Sequence, residues 1–131
     1  MITQQLTLLQ RELDILKKYL QEAILTDFNK KKLLSELASP QVVDEDKLPE
    51  NVIGLNSVVE VEERKSRKSF IFQIVPPAYA DIKKNKIAVS APIAIALLGY
   101  HTGSTVKWEM PGGVQEFEVL KVTRVKAERA V

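Results

Sequence analysis

Residues 86–122, KIAVSAPIAIALLGYHTGSTVKWEMPGGVQEFEVLKV, constrain the fold more than any other stretch, because start and stop signals recur every few residues. Ser90 is a good N-cap, and Pro92 sits near the first helical position, where a missing N–H costs nothing. Ala94 to Leu98 are good helix formers, and Gly99 can end the helix in a left-handed conformation. Val106, Trp108 and Met110 then alternate with Thr105, Lys107 and Glu109, the period of a half-buried strand. Pro111-Gly112-Gly113 turns the chain, and Phe117 and Val119 return it. The predicted order is strand, short helix, turn, strand, hairpin, strand.

The N-terminal third has a different period. Ile2, Leu6, Leu9, Leu13, Leu16, Leu20 and Ala23 form an a/d seam that predicts a helix over residues 3–25. Thr26 or Asp27 can cap a second, much shorter helix carrying Leu33, Leu34 and Leu37 and ending near Pro40. The half of helix 1 from Met1 to Leu9 then needs a cover. The seam predicts either a homodimer through these leucines or helix 1 folded back on the sheet. Residues 39–56, with Pro40, Pro49, Gly54 and Asp44-Glu45-Asp46, read as a linker.

From Ser57 the period is two. Val59 and Val61 form one strand, and Phe70, Phe72 and Ile74 form the next across the basic turn Arg64–Lys68. Phe70, Phe72, Trp108 and Phe117 are expected in the core. Residues 78–85 read as a polar connection and 86–90 as a strand. Along the C-terminal strand the alternation slips between Val119 and Leu120, which predicts a bulge. The fold class is α+β: a short antiparallel helical hairpin over residues 1–39, a linker over 40–56, and an antiparallel sheet domain with one short helix over 57–131.

Composition narrows the function. The chain has 131 residues, 45% of them apolar, which suits one domain, or one small domain with a helical appendage. No apolar run reaches the roughly 18 residues a membrane helix needs. The opening MITQQLTLLQRELD lacks a charged leader before an apolar core, so no secretory signal is expected. With no cysteine there can be no disulfide or thiolate metal site, and a cytoplasmic location is expected. The single histidine, His101, gives poor support to a histidine metal site or a nucleophilic triad, and it reads as a surface turn residue. No metal, cofactor or catalytic residue is expected. A net charge of +2 does not by itself imply nucleic-acid binding, and no sequence-specific nucleic-acid partner is expected.

Three pieces occur in a telling order: Ser90-Ala91-Pro92-Ile93, Ala96-Leu97-Leu98-Gly99 and Trp108-Glu109-Met110-Pro111-Gly112-Gly113-Val114. They resemble the C-terminal, FKBP-like domain of the GreA/GreB transcription factors. The form APxxxALLG followed by WExPGGV looks most like the Rnk branch, the regulators of nucleoside diphosphate kinase. The resemblance implies an RNA polymerase-binding regulator that docks at the secondary channel and is not itself an enzyme.

In that family a helical hairpin enters the secondary channel, and acidic residues at its tip help hold a catalytic Mg²⁺ for transcript cleavage. The matching tip here is LQEAILTDFNKKK, with Glu22, Asp27, Lys30, Lys31 and Lys32 as its charged residues. The family's closely spaced acidic pair is absent, and Asp27 is already explained as a helix cap. A helix of about 22 residues would be about 33 Å long, shorter than the family's finger. The resemblance also assigns Ser90, Ala91, Pro92 and Ile93 to a turn that contacts the β′ subunit at the channel rim. Two alternatives stay open: a transcript-cleavage elongation factor, and an FKBP-like interaction module or prolyl isomerase.

Overall fold

The computed structural model describes residues 5–125. The described chain opens extended, not helical. Strand β1 (Thr7–Leu8) pairs in parallel with β2 (Gln41–Val42). Leu6 and Leu8 are both buried, and Thr7 N–H donates to the Gly99 carbonyl at 3.2 Å. Gly99 has a φ of +87°, and a Cβ there would lie 2.9 Å from both Leu6 Cβ and Leu8 Cδ2. Residues two apart share a face only in extended chain, so burying both leucines against a bare glycine selects strand over helix. Tertiary burial overrides the helical pattern.

Helix α1 is therefore Gln10–Glu22, not 3–25. The expected open leucine seam does not exist as one helix face: Leu6 and Leu9 are 1% and 7% exposed, covered by their own chain. The premise for a dimer through that seam falls with it, and helix 1 has no uncovered half among the described residues. Met1 and Ile2, the start of that seam, lie outside the described residues. Helix α2 (Asp27–Glu36) has 10 residues against 13 in α1, so the two are nearly matched. Thr26 is its cap, accepting the Asn29 N–H at 3.2 Å, and Asp27 is the first helical residue.

Glu12 joins α1 to the following segment. Its buried carboxylate accepts the Leu9 N–H at 3.0 Å and the Leu55 N–H at 2.8 Å. Leu9, at the N-cap position, has no side-chain acceptor, so Glu12 satisfies the helix end instead. At Gly54 an added Cβ would meet Glu12 Oε2 at 2.6 Å, so any larger residue there would displace the carboxylate from its bonds. Residues 40–56 carry β2, a 3-10 turn at Glu45–Lys47, and buried Leu48, Val52 and Ile53.

Five strands follow: β3 (Ser57–Glu63), β4 (Ser69–Val75), β5 (Lys86–Ala88), β6 (Thr105–Met110) and β7 (Gly113–Arg124). Their order in the sheet is β5-β4-β3-β7-β6, and only the β4–β5 pairing is parallel. Glu60 faces Lys121 while Val61 faces Val119, so Leu120 is the extra residue. The bulge falls where the alternation slips.

Helix α3 (Pro92–Leu97) starts one residue later than its expected cap implies. Ala91, not Ser90, is the N-cap, and it makes no side-chain bond. Pro92 sets the start, because its fixed φ suits the first helical position and it has no N–H to satisfy. Val59, Val61, Ile74, Val106, Trp108 and Val119 form the core with Ala94–Leu97 of α3. Leu13, Leu16 and Leu33 join the same cluster, so the helical hairpin is part of the core. Phe70, expected inside, is 47% exposed. It lies on β4 before the point where β5 begins to pair, at the uncovered end of that strand.

Candidate functional site

The Ser90–Ile93 turn follows β5. Ser90 and Pro92 are exposed, while Ala91 and Ile93 are half-buried and Ile93 packs against the core. The Ala91 N–H donates to the Ala88 carbonyl at 2.9 Å, and the Ala91 carbonyl receives the Ile95 N–H at 3.0 Å. The turn is thus bonded on both sides and held by the buried body of α3. It carries no charge, so what it offers a partner is the Ser90 hydroxyl, the Pro92 ring and an edge of Ile93. Sequence reading missed Tyr79 and Ile82 nearby in the chain. They sit in two 3-10 turns, Pro77–Tyr79 and Ile82–Lys84, that contact β5, and they are 63% and 88% exposed. Two apolar residues in an otherwise polar connection were the available signal.

The hairpin tip is the second candidate. Glu22, Asp27, Lys30 and Lys31 are exposed, and Ile24 between the helices is fully exposed. Among the described residues no cluster of three or more His, Cys, Asp or Glu could hold a metal ion. No helix of the described residues is long and apolar enough to cross a membrane.

The beginning of α2 does not stand free. The Asn29 side chain donates to the Glu109 carbonyl at 2.9 Å and accepts the Glu109 N–H at 2.8 Å. It thereby supplies the outer edge of β6 with the pair of bonds another strand would give.

Lys32 stands apart from the exposed Lys30 and Lys31, because its side chain is largely buried. Its Nζ lies 2.9 and 3.1 Å from the two oxygens of Glu36, whose side chain is almost fully buried. The ammonium also lies 4.9 Å from the Tyr100 ring centroid and 5.4 Å from that of Trp108, within cation–π range. Burial pushes the Lys32 pKa down and the Glu36 pKa up, each opposed by the charge of the other. The i, i+4 spacing of Lys32 and Glu36 was legible as a helix pair. Its burial was not, because Tyr100 and Trp108 come from distant parts of the chain.

The basic turn Arg64–Lys68 is largely answered by local acids. Arg64 pairs with Glu118, and Arg67 lies 3.9 Å from Glu62. The Glu63 carboxylate accepts the Lys65 and Ser66 N–H groups at 2.7 and 3.1 Å, and these bonds lower its pKa. His101 is exposed, as expected, but it pairs with Val52 in an isolated antiparallel bridge just before the turn, and its Nδ1 lies 2.8 Å from the Thr102 carbonyl. Trp108 is a core residue, 2% exposed.

A sheet of this order, a buried α3 behind a proline turn, and a helical hairpin packed on the core describe one class of protein. Residues 48–124 match the family model described as "Transcription elongation factor, GreA/GreB, C-term". The chain belongs to the GreA/GreB family. It is 36% identical over 90 residues to the transcription elongation factor GreA of Rhodopseudomonas palustris (strain TIE-1), covering 69% of this chain and 57% of that protein. It is 37% identical over 90 residues to GreA of Syntrophus aciditrophicus (strain SB), covering 69% and 56%. The chain therefore spans little more than half the length of these curated relatives. Among solved structures, the prokaryotic transcription elongation factor GreA/GreB from Nitrosomonas europaea superposes with a TM-score of 0.64 at 29% identity, covering 92% of this chain and 98% of that one.

Proposed function

We propose that this chain is a Rnk-type regulator that binds RNA polymerase at the rim of the secondary channel without stimulating transcript cleavage. The Ser90–Ile93 turn meets the β′ coiled coil, and the helical hairpin faces the channel mouth. The carrying observation is the anchoring of the hairpin. Asn29 bonds both backbone groups of Glu109, and Leu13, Leu16 and Leu33 lie in the shared core. With 13 residues, α1 is about 20 Å long, and Leu13 and Leu16 tie part of that length to the core. Such a hairpin stops short of a catalytic centre deep in the channel. Its tip offers Asp27 and Glu22 but no acidic cluster able to share a Mg²⁺ ion.

The factor then works by occupancy, in the cytoplasm, competing with cleavage factors for the same pore. Burial of Phe72, Trp108 and Phe117 in the core counts against a prolyl isomerase, which needs its aromatics lining a cleft. The test is a pull-down with core polymerase, followed by a cleavage assay on stalled complexes with the same material. Co-purification with no added cleavage, and loss of cleavage by an added cleavage factor, is the expected result. Absence of binding overturns the docking claim, and stimulated cleavage overturns the occupancy claim.

A further inference from the structure

Strand β4 has seven residues, but β5 pairs with only the last three, Gln73–Val75. The outer edge of Ser69–Phe72 has no strand partner among the described residues. The direction of its backbone groups follows from the bonds around it. Lys68 and Ile74 turn their carbonyls toward the β3 side, accepting the Glu63 and Asn56 N–H groups at 2.9 and 2.7 Å. Gln73 N–H points the other way, to the Asn85 carbonyl at 2.8 Å. By strand alternation, Ser69 and Ile71 also point outward. The side chains along this edge are large and apolar: Phe70 is 47% exposed and Ile71 56%.

An open, apolar strand edge is a template for an added strand. Glu60 and Glu62 of β3 lie across from Ile71 and Ser69, with Arg67 3.9 Å from Glu62, and the charges at the two ends of the edge bias what can be added. Lys68 precedes the edge, and Lys83 and Lys84 lie in the turn whose Asn85 closes its far end. None of these three lysines has an ion-pair partner among the described residues. A second copy would bring the same lysines against these, and like charges across a strand pair repel.

We propose that the Ser69–Phe72 edge is a β-augmentation site for an extended acidic segment of another protein, with apolar residues at alternate positions. The added strand would exchange backbone bonds with Ser69 and Ile71, pack apolar residues beside Phe70, and bring its carboxylates near Lys68, Lys83 and Lys84. This edge would operate whether or not the Ser90–Ile93 turn meets a polymerase, since β5 lies between the two.

The probe is a blocked octapeptide of alternating valine and glutamate, titrated into the full chain labelled with ¹⁵N. Binding should shift the Ser69 and Ile71 amide signals and slow their hydrogen exchange. Ile71→Pro removes an outward N–H without touching the β3 ladder, so the Phe72 and Trp108 signals should stay in place while affinity falls about tenfold. Lys68→Glu with Lys83→Glu should weaken the glutamate peptide and favour its valine–lysine counterpart. The proposal is overturned if shifts avoid β4, if the lysine peptide binds the unmodified chain equally well, if both variants bind undiminished, or if light scattering finds the edge used for self-association.

Discussion

The side chain of Asn29 makes both backbone hydrogen bonds of Glu109, 80 residues further along the chain. One amide thus caps the outer edge of β6 at Glu109 and fixes the start of α2 against the sheet. The same residue's N–H is held by the Thr26 cap. Cap, helix start and sheet edge are therefore one bonded unit.

Replacing Asn29 by leucine should expose this dependence. Two bonds are lost, and two Glu109 backbone groups are left against an apolar side chain, at about 1–3 kcal/mol for an unsatisfied buried group. Urea unfolding should show a lower midpoint with little change in slope. Trypsin should cut faster after the exposed Lys30 and Lys31. An unchanged midpoint would mean that the latch contributes nothing.

The Lys32–Glu36 pair allows a sharper test. Glu36→Ala strands an ammonium with no counter-ion and should cost about 3–5 kcal/mol, whereas Lys32→Met with Glu36→Leu should be near neutral or stabilising. The pH dependence has a definite sign. The folded pKa of Glu36 is raised by burial, so its contribution is fully present below the unfolded carboxylate value of 4.5 and is lost as pH rises through the higher folded value. Lys32 is lowered, so its contribution is present above the unfolded value of 10.5 and is lost as pH falls through the lower folded value. The stability difference between the unmodified protein and Glu36→Gln should therefore shrink as pH rises from about 4.5. A difference that grows over that range would contradict the assigned burial.

Leu6 and Gly99 show why part of the fold was hidden in the sequence. Leu6, Leu9, Leu13 and Leu16 fit a helical seam, but Leu6 and Leu8 fit a strand equally well. A neighbour more than 90 residues away decides between them: Gly99 gives the leucines room only if the chain is extended. The slip at Leu120 and the Pro111-Gly112 turn were legible because both are local backbone signals. At the candidate site the rigid proline turn could be read from Pro92. Lys32 could not, because its burial depends on Tyr100 and Trp108.

The same contact gives a stability prediction. Gly99→Ala meets both a left-handed backbone and two leucine atoms at 2.9 Å, so it should destabilise by more than the roughly 0.4–1 kcal/mol that a strain-free Gly→Ala change gains. Leu6→Ala should cost about 2–5 kcal/mol. Both should lower the thermal midpoint at every protein concentration. A concentration-dependent midpoint would instead point to Leu6 acting between copies.

For the proposed docking turn, Pro92→Ala with Ala91→Arg puts a bulky cation on a surface now formed by an apolar ring and a half-buried methyl. The turn is exposed at Pro92, so near-native circular dichroism is expected. Recovery of the chain with core polymerase should fall about tenfold or more if the turn lies at the centre of the contact. Undiminished recovery would remove Ser90–Ile93 from the interface.

At the tip, Asp27 and Ile24 separate occupancy from chemistry. Asp27 is an exposed first-turn residue whose nearby cap is already supplied by Thr26, so Asp27→Asn should change stability by less than about 1 kcal/mol. On stalled complexes, both Asp27→Asn and the unmodified protein should leave the cleavage rate at the level of polymerase alone. Ile24 is fully exposed, so Ile24→Asp should fold normally and place a second acid near Asp27. If reach is what limits the hairpin, that second carboxylate should still add no cleavage, because Asn29 holds the helix start against β6. Cleavage gained by Ile24→Asp would show that the tip already reaches the metal centre and lacks only charge.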